Sequence, residues 1–125
     1  APGVPSVGER AIMKGMARQN IHAKVRWGNL NEIVEELNET PARIHTKDMH
    51  GNTPLHISCQ NGHVQITQVL VKTGADVNAV NIAGRTPLFY AFAYGYMEIG
   101  EFLRRVGGDD RILDKEGFTC YDPWY

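Results

Sequence analysis

The 125 residues predict an all-α solenoid of helix-turn-helix units, about three full copies and a partial one at the C-terminal end. Three observations predict it. Gly51-Asn52-Thr53-Pro54-Leu55-His56 recurs 33 residues later as Gly84-Arg85-Thr86-Pro87-Leu88-Phe89. The same step carries Gly62 to Gly95, Ile66 to Ile99, Leu70 to Leu103, Gly74 to Gly107 and Gly84 to Gly117. Finally, a helix pair this short cannot bury its apolar face alone, whereas stacked copies bury one continuous core.

The elements follow in chain order. Ser6-Val7-Gly8-Glu9 has the spacing of a capping box, and Met13, Ala17, Ile21 and Val25 lie at i, i+4 steps. Residues 1–20 are therefore expected to form an N-terminal capping helix that runs continuously into the first unit. The segment through residue 26 carries Arg10, Lys14, Arg18, Lys24 and Arg26 against Glu9 alone, and the next helix carries Glu32, Glu35, Glu36 and Glu39. Pairing of two neighbouring helices is preferred here over an anion-binding patch.

Residues 21–47 form a degenerate first unit. Ile21 to Gly28 matches Leu55 to Gly62 at a step of 34, while Ile33 and Leu37 meet Ile66 and Leu70 at 33. One residue of slippage between its helices is implied. Residues 48–80 form the second unit. Asp48-Met49-His50-Gly51 is a turn, Thr53 can cap a helix, and Pro54 fits its first position. Asn61-Gly62-His63 breaks that helix. Val64, Ile66, Val69 and Leu70 then place apolar groups on one face of a second helix, which Gly74 ends. Residues 81–113 repeat the plan. Residues 114–125 hold a turn and no second helix, so they read either as a partial repeat or as an aromatic cap built from Tyr121, Trp124 and Tyr125.

Gly-x-Thr-Pro-Leu-His, Asn-Gly-His and Gly-Ala-Asp-Val-Asn together resemble the ankyrin repeat family, over about residues 21 to 125. The resemblance implies an L-shaped unit of two antiparallel helices with a projecting β-turn finger. It also implies a non-enzymatic module that binds a protein or peptide on a concave surface, made of the finger tips and the exposed faces of the first helices. Lys24 stands where the family prefers a small residue. Leu70, followed by Asp76-Val77-Asn78, is similar to the pattern used by an asparagine hydroxylase that modifies ankyrin repeats; the preferred reading is that Asp76 and Asn78 are turn residues bonding locally.

Composition excludes several classes. A hydrophobic fraction of 42% with 22% charged residues argues against general disorder. Thirteen Lys and Arg against fourteen Asp and Glu leave no basic footprint for nucleic acid. Cys59 and Cys120 are too few for a disulfide framework and wrongly spaced for zinc. No apolar run suits a membrane span, and the first residues lack a signal-peptide pattern. A reducing, cytoplasmic setting is expected, with the nucleus as a second option.

No enzyme, cofactor or metal site is expected. His45 and His50 share a loop with Asp48, but no further ligands complete a tetrahedral set. His56 and His63 read as structural, Cys59 as a packed thiol and Ser58 as a packing residue without an activating base. No glycine-rich phosphate loop is present.

Rows of residues 33 or 34 apart define the expected partner surface: Trp27, Asn61 and Tyr94; Arg26, Gln60 and Ala93; Met49, Ile82 and Lys115; Asn52, Arg85 and Phe118. Together with His50 these give the candidate contacts Arg26, Trp27, Met49, His50, Asn52, Gln60, Asn61, Ile82, Arg85 and Tyr94. Trp, Tyr and Arg are enriched at binding hot spots, and Met adapts its shape to partners. A solvent-facing Trp27 is assumed; the competing placement is under the N-terminal helix. Tyr90, Phe92, Phe102, Tyr96 and Met97 are assigned to packing. The function expected is a protein-binding adaptor or scaffold segment, the alternative being a structural or capping element within a larger ankyrin protein. Oligomeric state is left open.

Overall fold

A computed structural model describes residues 20–122. The described chain is three helix pairs in series: α1 (Ile21–Arg26) with α2 (Leu30–Glu39), α3 (Pro54–Asn61) with α4 (Val64–Lys72), and α5 (Pro87–Ala93) with α6 (Met97–Arg105). A 3₁₀ turn over Pro41–His45 follows α2, and no β-strand occurs among the described residues. The first helices α1, α3 and α5 pack side by side as the spine of the stack, and each leans on its own second helix.

Local chemistry sets the helix starts. Thr53 accepts from the His56 backbone N–H, and Thr86 likewise accepts from Phe89 at 3.1 Å. In both helices proline follows, where its missing N–H costs nothing. Helix α3 ends at Gly62 in the left-handed region, with φ 71°.

The expected continuous helix through Met13 to Val25 is corrected at one residue. Asn20 has φ −139° and ψ 103°, which is extended backbone, and its side chain accepts from the N–H groups of His22 and Ala23. Asparagine is among the preferred helix caps, so α1 starts at Ile21. The remainder of that expectation, including the capping box at Ser6, lies outside the described residues.

The core is one cluster strung along the stack, holding Val25, Ile33, Leu55, Ile66, Leu70, Leu88, Ile99 and Leu103. Tyr90 is buried as expected of a packing residue, and Phe92 and Phe102 pack half-buried against the core. Met97 departs from the packing assignment, being 53% exposed, whereas Tyr96 is partly exposed but lays its ring over Gly62 of the preceding unit. Tyr96 is the cap residue of α6 and Met97 its first helical residue.

Lys24 resolves the misfit seen in the sequence. It is buried, and its ammonium group donates to Glu36 Oε1 on α2, while the Arg43 guanidinium lies 3.5 Å from Glu36 Oε2. Among the described residues, Lys24 with Glu36 is a pair of the expected kind; Arg10, Lys14 and Arg18 lie outside them. A buried ion pair costs desolvation that well-packed apolar residues avoid. Replacing both members together, Lys24→Met with Glu36→Leu, is expected to hold or raise the melting temperature. Lys24→Met alone should lower it; thermal unfolding of the two variants checks the contrast.

Candidate functional site

The fingers are built by one device used three times. Asp48 Oδ1 accepts the N–H groups of His50 and Asn52, both at 2.9 Å. Asn81 does the same for Ala83 at 3.1 Å and Arg85 at 3.0 Å. Asp114 repeats it for Glu116 at 3.0 Å and Phe118 at 2.9 Å. Each loop is closed by a backbone bond, as from Asp48 N–H to Asn52 carbonyl at 3.0 Å. Burial works against the charge on Asp48 and Asp114, but the N–H donors, and Arg85 for Asp114, hold both carboxyls below their ordinary value.

Neighbouring fingers are tied edge to edge. Ile82 N–H donates to His50 carbonyl and Lys115 N–H to Ala83 carbonyl, each at 2.9 Å. Glycine is needed at the tip for two reasons. Gly51 and Gly84 both have φ 77°, and a Cβ would lie 3.0 Å from Ile82 N and 2.9 Å from Lys115 N respectively.

Histidines fasten helices to the fingers in two places and to the end of α1 in a third. His22 Nε2 lies 2.7 Å from Asn52 carbonyl, His56 Nε2 2.9 Å from Arg85 carbonyl, and His63 Nε2 3.0 Å from Arg26 carbonyl. His56 Nδ1 accepts from Thr53 N–H at 3.0 Å, so its Nε2 carries the proton and donates to Arg85. Burial pushes the His56 imidazole down to about 4. In the third unit Phe89 takes this slot, and the Arg85 guanidinium sits 4.9 Å above its ring centre.

The candidate contacts divide sharply. Met49 and Ile82 stand out at the finger tips, 84% and 60% exposed, and Tyr94 is 48% exposed at the C-terminal cap of α5. Arg26, His50 and Asn61 are exposed, and Gln60 is half-buried. Asn52 does not belong with them. It is only 7% exposed, its amide oxygen accepts from Asn81 at 2.9 Å, and its amide nitrogen points to Asp48. Asn52 therefore cross-links two fingers from beneath, a role its sequence row concealed.

Trp27 is half-buried, and its Nε1 is closed off from solvent without a hydrogen-bond partner among the described residues. The solvent-facing placement thus holds for part of the ring only. Arg85 is half-buried and bonded to Asp114 at 3.3 Å, so it braces the last finger.

A cleft of about 600 Å³ opens beside the first finger, between α1, the 3₁₀ turn and residues 46–50. The contacts expected from the sequence included Arg26, Met49 and His50 of its lining but not Arg43 and Lys47. Lys47 was detectable, because it lies one residue before the repeated Asp48 position. Arg43 was not, because the 3₁₀ turn after α2 has no counterpart in the later units.

Groups with chemical potential are committed to packing. Cys59 is wholly buried, which pushes its thiol up to about 12, and Ser58 donates to Leu55 carbonyl at 3.0 Å. Asn78 bridges to the following unit, donating to Gly107 carbonyl at 3.0 Å and accepting from Asp109 N–H at 2.8 Å. Among the described residues no group of three or more potential metal ligands converges, and no helix is long and apolar enough to cross a membrane.

Comparison with known proteins agrees with this geometry. The family model for ankyrin repeats, in three copies, matches residues 21–112. Over 70 residues the chain is 34% identical to Rabankyrin-5 of Mus musculus, covering 56% of this chain and 6% of that protein. It is 43% identical over 51 residues to Protein phosphatase 1 regulatory subunit 27 of Homo sapiens, covering 41% of this chain and 32% of that protein. The chain thus matches less than two thirds of the length of either relative. With the repeated fingers, the paired helices and a family match over most of its length, the chain belongs to the ankyrin repeat family.

Proposed function

We propose that the chain is a non-catalytic interaction module that docks a protein or peptide segment along the concave groove of finger tips and first helices. Ankyrin repeats are generally protein-interaction modules. The observation that carries the reading for this chain is the contrast between slots one step apart. Leu55 and Leu88 are fully buried, while Met49 and Ile82 on adjoining fingers are left to solvent in the same register. Adjacent large apolar side chains held out by a rigid turn suit a partner's apolar residues. The contacts proposed are Arg26, Met49, His50, Gln60, Asn61, Ile82 and Tyr94, with the exposed part of Trp27 at one end.

The repeat boundaries proposed are 21–47, 48–80 and 81–113. Residues 114–122 close the last unit, since the Tyr121 ring lies 5.2 Å from Phe92 and its hydroxyl donates to Asp110 at 2.7 Å. A cytoplasmic or nuclear setting fits two buried free thiols. A second reading, a structural segment of a larger ankyrin protein, is favoured by the far greater length of the relatives.

The test is affinity capture from the native source with the chain and with its Met49→Ala, Ile82→Ala double variant. The expected result is loss of specific partners at unchanged helical content. Partners retained by the double variant would place the interface elsewhere.

A further inference from the structure

The groove is not uniform along its length. Its first end is the cleft lined by Arg26, Arg43, Lys47 and Met49. Two carboxylates also line it, and both are engaged. Asp48 is occupied by the finger's own N–H groups, and Glu36 is buried against Lys24. Arg26 and Lys47 are exposed and have no ion-pair partner among the described residues. Cations are thus left facing a concavity whose acids have been spent internally.

The positive character fades one unit further on. At successive repeat steps Arg26 is replaced by Gln60 and Ala93, and Lys47 by Val80 and Leu113. Val80 and Leu113 are 45% and 56% exposed, and Ile82 lies on the finger next to Met49. The rows that start at Arg26 and Lys47 therefore lose their cation in the same direction, and Lys115 returns one only at the tip of the last finger.

We propose that this polarity selects a protein segment carrying a cluster of Asp or Glu next to apolar residues, the carboxylates seated at Arg26 and Lys47 and the apolar part along Met49 and Ile82. The inference rests on the groove reading above and adds the chemistry and direction of its occupant. Packed helices lie roughly 10 Å apart and an extended chain rises about 3.3 Å per residue, so each repeat spans about three residues of partner. Acidic and apolar determinants should then lie about three to six residues apart. A polyanion such as single-stranded nucleic acid fits less well, because neither the Arg26 row nor the Lys47 row carries a cation past the first unit and α2 carries Glu32, Glu35 and Glu39.

The experiment is selection of phage-displayed random 12-residue peptides on the whole chain at about 0.05 M salt, where surface charge is weakly screened. Enriched clones are expected to pair an Asp/Glu cluster with Leu, Ile or Phe within about six residues. A synthesised clone should lose about tenfold in affinity on Arg26→Glu or Lys47→Glu, and also on raising the salt. It should bind Lys72→Glu, a charge change away from the groove, as tightly as the unaltered chain. Circular dichroism of each variant confirms that it is folded. Clones with no acidic excess that still fail on Met49→Ala would overturn the inference and leave the groove reading standing. Clones indifferent to both kinds of change, or no enriched clone at all, would overturn both. A 12-nucleotide single-stranded DNA bound as tightly as the peptide would overturn the assignment of a protein partner.

Discussion

Leu70→Ala is expected to destabilise the chain by about 2–5 kcal/mol, the range for large-to-small exchanges in a packed core. Leu70 is 0% exposed on α4 and belongs to the one cluster that runs through all three helix pairs. In a stack, each unit is held mainly by its neighbours, so a cavity in the middle unit weakens two interfaces at once. A domain of this size has a net stability of roughly 5–15 kcal/mol, so the loss is a large share of the total. Met49→Ala supplies the contrast: the residue is 84% exposed, and a surface exchange should stay within about 0.5 kcal/mol. Urea unfolding of the two variants checks both values, and equal stabilities would contradict the assignment of inward slots.

Acidification from pH 7 to 4 is expected to cost about 3 kcal/mol through His56 alone. The unfolded imidazole takes up its proton near 6.5, whereas the folded one is pushed down to about 4, chiefly by burial. Hydrogen bonding to Arg85 carbonyl and the charge of Asp48 act the other way, and the charge of Lys47 adds to the depression. Protonation would also put a second donor at Nδ1, facing the Thr53 N–H that it now accepts. Because the unfolded state binds the proton first, this contribution is complete above pH 6.5 and is lost as the pH falls towards 4. Asp48 and Asp114, held low by their fingers, add a separate loss below about pH 4, as their carboxylates protonate. Denaturant unfolding at several pH values tests the first window. His56→Gln should be less stable at pH 7 and should flatten the slope between pH 6.5 and 4; an unchanged slope would assign it to other groups.

The local devices were legible in advance because each is written within a few adjacent residues. Thr53-Pro54 starts a helix, Gly62 ends one, and the buried Leu55, Ile66 and Leu70 sit where the apolar pattern put them. Cys59 occupies the packed slot expected of it. The candidate surface was legible only in part. Met49, Ile82 and Tyr94 are exposed in their rows, but Asn52 is buried although Arg85, its equivalent one unit on, is not. What turns Asn52 inward is Asn81 on the next finger, 29 residues away, and no row of equivalent positions encodes that bond.

Sequence by itself determined the period, the helix pairs, the fingers and the family, because turns, caps and apolar spacing act over a few residues and recur. Only the tertiary structure decided where each charge went. Glu36 was one of four similar acids on α2, yet it alone is drawn inward by Lys24 and Arg43. Asp48 is likewise spent on backbone N–H groups, which leaves Arg26 and Lys47 at the mouth of a cleft. Electrostatic partners are chosen by distance and burial in three dimensions, so a chain of nearly zero net charge can still fold into a groove with a basic end.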